Sequence, residues 1–97
     1  MNEEKNESEI RKGAQAAQLL NNPLYVEAVE KVRMGLVQRL EMSAIGDKDT
    51  HHEIALSLQL LKQVHQHIKT VAETGKMAEI ERQNWLQSMK NRIKRVA

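Results

Sequence analysis

Residues 50–74, THHEIALSLQLLKQVHQHIKTVAET, contain neither glycine nor proline. Within them Ile54, Leu58, Leu61, Val64, Ile68 and Val71 recur at steps of three and four, which lines one side of an α-helix with branched apolar side chains. Leu56 and Leu60 lie about a third of a turn from that stripe, so the apolar surface is wider than one neighbouring helix covers. At least two packing partners are expected, and Leu56 and Leu60 are the first candidates for an interface with another copy or another protein.

Working outward towards the amino terminus, Thr50-His51-His52-Glu53 reads as a capping box, with the Thr50 hydroxyl and the Glu53 carboxylate satisfying each other's backbone N–H groups. The turn before it, Gly46-Asp47-Lys48-Asp49, is expected to place Gly46 in the left-handed C′ conformation that ends a helix. That helix spans about 23–45. It opens at Asn21-Asn22-Pro23, where Asn22 suits the N-cap and Pro23 the first helical position. Tyr25, Val29, Val32, Leu36 and Leu40 form its stripe, widened by Ala28, Val37 and Ile45, and Glu27 pairs with Lys31 one turn on. Gly35 reads as a tight helix crossing. Two helices joined by about four polar residues lie side by side, so the core of the fold is an antiparallel helical hairpin.

The flanks are weaker. A short helix over about 8–20 carries Ile10, Ala14, Ala17 and Leu20 on one face. Gly13 weakens it by about 1 kcal/mol relative to alanine, while Ala14, Ala16 and Ala17 permit close approach of a neighbour. Residues 1–7 offer nothing to bury and are expected to be a disordered, acidic start. On the other side, Gly75 either ends the central helix, with a new one beginning near Met77, or sits at a kink in one long helix; the break is preferred. Residues 76–97 then form a basic amphipathic helix. Trp85, Leu86, Met89 and Ile93 supply its candidate partner interface, and Arg82, Lys90, Arg92, Lys94 and Arg95 its candidate contacts to an anionic partner. No stretch alternates as a strand would, and the fold class read from the sequence is all-α.

Composition bounds the rest. A chain of 97 residues is one domain at most. With no Phe, one Tyr and one Trp, its core depends on aliphatic side chains and alanine. So thin a core favours self-association. Absence of cysteine removes disulfides, thiol catalysis and thiolate zinc sites. The start is acidic where a signal peptide is basic and then apolar, and no run reaches the length of a membrane span, so a cytoplasmic protein with no membrane partner is expected. The net charge of +2 is unevenly spread: acids dominate the first nine residues, and none occurs after Glu81.

No chemistry stands out. His51 and His52 are adjacent and His65 and His67 point to opposite sides, so neither pair has the i, i+4 spacing of helical metal ligands. Ser8, Ser43, Ser57 and Ser88 lack a nucleophile-elbow context, and the single glycines form no phosphate-binding loop. The expectation is a non-enzyme without cofactor, metal or small-molecule substrate. The basic carboxy-terminal helix fits an acidic protein partner or salt-dependent, sequence-independent nucleic-acid binding, and also fits a plain solvated face.

QLLNNPLYVEAVEKVR, then a polar turn, then HEIALSLQLLKQVHQHIKTVAETGKMA resembles a group of short proteins of tailed bacteriophages and prophages. The matching positions are Leu19–Leu24, the turn around Asp47, and Glu73–Lys76. Such proteins are often encoded near packaging and portal genes. The resemblance implies a viral protein of the host cytoplasm or virion, a virion-assembly or DNA-packaging accessory; the surplus apolar surface and thin core add the expectation of a homo-oligomer. The alternative is a small regulatory or host-directed binder. No functional residue carries over from the group.

Overall fold

In the computed structural model, which describes residues 3–96 and the side chains of residues 4–94, the chain is helical almost throughout, with no strand among the described residues. Helix α1 spans Glu3–Leu20, α2 Pro23–Met42 and α3 Lys48–Val96. Contacts divide the chain into two units, one made of Met1–Gln18 with Lys69–Ala97, the other of Leu19–Ile68. Helix α3 contributes to both.

Several boundaries differ from the sequence expectation. Helix α1 begins at Glu3, not Ser8, so residues 3–7 are helical; Met1 and Asn2 lie outside the described residues. Glu4, Lys5 and Glu7 are exposed there and Asn6 is half-buried. Glu and Lys are good helix formers, and carboxylates at a helix start are favoured by its dipole. Helix α2 stops at Met42, three residues early, because Ser43 turns extended (φ −82°, ψ 152°) and caps it: its N–H and its hydroxyl both donate to the Leu40 carbonyl, at 3.2 and 2.7 Å. Gly46 takes no left-handed conformation, since no described glycine has a positive φ.

Asp47, not Thr50, caps α3. Its carboxylate accepts from the Thr50 N–H at 3.2 Å and from the Thr50 hydroxyl at 2.7 Å, which places Thr50 inside the first turn. A carboxylate offers two acceptors and a charge to the positive end of the helix, where a hydroxyl offers one neutral acceptor. The same two hydrogen bonds, the side-chain one foremost, hold the Asp47 carboxyl below its usual range, with help from His51 and Arg39. By contrast the start of α2 follows the sequence reading: Asn22 accepts from the Leu24 N–H at 2.9 Å and Pro23 opens the helix.

The preferred break at Gly75 is overturned, and with it the separate helix over 76–97: α3 runs through without interruption. A glycine inside a helix costs about 1 kcal/mol relative to alanine, and here the missing side chain is used. A Cβ placed on Gly75 would stand 2.5 Å from the Gly13 Cα and 2.7 Å from the Glu9 carbonyl oxygen; one on Gly13 would meet the Gly75 Cα at 2.5 Å and the Val71 oxygen at 3.2 Å. The backbones of α1 and α3 therefore touch, running in opposite directions, with Ala16 and Ala78 buried in the same unit. Gly35, expected at a crossing, has nothing within 4 Å of its Cβ position.

The second unit is held by side chains. Ile54 is the largest fully buried one. Tyr25 and His65 stack with ring centroids 6.0 Å apart and share a 2.9 Å hydrogen bond between the phenol oxygen and Nδ1. Arg39 reaches Glu53 at 3.2 Å, and Ser43 meets His51. These pairs step forward along α2 while stepping backward along α3. The Glu27–Lys31 pair forms at 3.0 Å, but exposed as it is, it adds little stability.

Candidate partner-binding surfaces

The described core is very small: Ala16, Ile54 and Ala78 are its buried hydrophobic residues, and α2 buries none at all. One fully buried isoleucine contributes about 1.5–3 kcal/mol, whereas ordering each residue's backbone costs about 1–2 kcal/mol. Large apolar side chains meanwhile face water. On α3, Leu56, Leu60 and Val64 are 48%, 52% and 60% exposed; four residues apart, they stack along one line of the helix. On α2, Val26, Val32 and Met34 are about as exposed.

A second set lies in the other unit. Trp85, Leu86, Met89 and Ile93 are all exposed, as are Arg82, Lys90, Arg92 and Lys94. Arg95 belongs to α3, but its side chain lies outside the described ones. The candidate residues thus divide between the two units and form two surfaces.

Ser43, His51 and Asp47 gather at the α2–α3 turn in a grouping the spacing did not reveal. The Ser43 oxygen stands 2.9 Å from His51 Nε2 and 2.7 Å from the Leu40 carbonyl oxygen. A hydroxyl has one proton. With that proton on the carbonyl, the imidazole must donate to Ser43 rather than accept from it, so His51 is not placed to activate a serine nucleophile. Asp47 is engaged by Thr50. The arrangement ties the end of α2 to the start of α3. Among the described residues no group of three His, Cys, Asp or Glu side chains suited to a metal ion occurs, and no helix is long and apolar enough to cross a membrane.

The comparisons with known proteins add no relative: no protein family matches the chain, and no match is found among curated proteins or solved structures.

Proposed function

We propose that the chain is a non-enzymatic helical module whose working state is an assembly of several copies, with the α2–α3 hairpin as the assembling unit. The observation that carries this reading is the exposed line Leu56, Leu60 and Val64 on a chain whose described residues include a single fully buried large aliphatic side chain. Apolar area of this kind is stabilised by removal from water, and a second copy supplies the same surface in return. The resemblance to short phage proteins gives the setting: a virion-assembly or DNA-packaging accessory in the infected cell.

Light scattering coupled to size exclusion tests this directly. The expected mass is a multiple of 11.1 kDa, falling towards one chain when Leu56 and Leu60 are both replaced by glutamine. A mass of one chain at every micromolar concentration would defeat the reading.

A further inference from the structure

We propose that the end of α3, from Arg82 to Lys94, is a docking strip for an acidic amphipathic helix of a different protein. The register of α3 points there. Counting in sevens from Ile54, the helix passes Leu61, Ile68 and Gly75, then Arg82 and Met89; the companion positions near the end are Leu86 and Ile93. This alternation of three and four is the seam along which helices pair side by side. Within the chain the seam is used: Ile54 and Gly75 are buried, Leu61 and Ile68 half-buried. Beyond Glu79 every described residue is exposed, yet Leu86, Met89 and Ile93 keep the same spacing. The seam pattern therefore continues into a stretch whose apolar side chains are exposed.

Charge selects the occupant. Lys90 and Arg92 occupy the positions that flank the seam and face a partner's flanks, and no acid occurs from Arg82 to the chain's last residue. A second copy of the strip itself is a poor match in either direction. Antiparallel pairing brings Lys90 near Lys90 and Arg92 near Arg92, and parallel pairing sets Arg82 against Arg82 within the seam. A helix with apolar seam residues and glutamates at its flanks satisfies both requirements, and such flanking charges set partner choice. The strip is already helical as the continuation of α3, so docking does not have to nucleate a helix on this side. The proposal is independent of self-association through Leu56 and Leu60.

Trp85, the only tryptophan, sits on the flank of the strip and reports on it. The probe is a synthetic helix of about three heptads with leucine along the seam and glutamate at the flanks, titrated into the full chain. The expected result is saturable binding with a blue shift of Trp85 emission. Replacing Lys90 and Arg92 together by glutamate should weaken it by at least about tenfold, with affinity restored for a probe carrying lysine at its flanks. Both positions are exposed, and circular dichroism verifies that the variant keeps its helix content. L56Q/L60Q, which probes assembly, should leave probe binding unchanged. An unshifted Trp85, or equal affinity for acidic and basic probes, would overturn the proposal. So would a preference for a short DNA duplex or anionic vesicles over the acidic probe that survives conversion of Leu86 and Ile93 to serine, since that would assign the strip to phosphate groups.

Discussion

Helix α3 is joined to its two neighbours by opposite means. Against α1 the contact is made by side chains that are missing: Gly13 and Gly75 leave no room for a Cβ on either helix. Against α2 it is made by side chains that are present, with Ile54 buried in that unit and Tyr25 bonded to His65. The first contact is intolerant of any addition, because what would be struck is backbone. The second is intolerant of removal, and a volume-conserving exchange there should be accepted.

The comparison can be broken in order of expected effect, with thermal or denaturant unfolding read at one fixed protein concentration because assembly links stability to concentration. Ile54→Ala should cost about 2–4 kcal/mol through lost burial and the cavity left behind, and Ile54→Leu far less. Gly75→Ala should cost about 1–3 kcal/mol, since backbone overlap outweighs the gain in helix propensity. Tyr25→Phe should cost about 0.5–1.5 kcal/mol by leaving His65 without its partner. Gly35→Ala, with open space at its Cβ position, should stabilise by about 0.5–1 kcal/mol. If Gly75→Ala also stabilised, the backbone contact would be refuted.

The smallest effect is a pH dependence. The Asp47 carboxyl is held below its usual range by Thr50, so the folded state favours its ionised form. Its contribution is present at neutral pH and is lost as pH falls through the usual carboxylate value towards the lowered one. Asp47→Asn should flatten that part of the acid unfolding curve and lower the melting temperature at pH 7 slightly.

How much was legible divides along the same line. The three- and four-residue steps from Ile54 to Val71 gave helix, and Asn22-Pro23 gave the start of α2 to the residue. What misled was punctuation. Gly75 reads as a stop and Gly35 as a crossing, and the roles are otherwise: Gly75 is the crossing and Gly35 faces open space. The small residues Gly13, Ala16, Gly75 and Ala78 at helical spacing were the available signal, but it acquires meaning only when both stripes are seen to meet. Thr50 and Asp47 failed for a similar reason, since either can cap and the choice lies in which set of hydrogen bonds closes.

By itself the sequence determined that this protein is helical and that its helices carry more apolar surface than one chain hides, because periodicity and side-chain chemistry are local properties. Only the tertiary structure decided which glycine is a contact, where α2 ends, and that α3 runs unbroken through Gly75 to Val96. Those outcomes depend on distances between atoms far apart in the chain, and no local pattern encodes them.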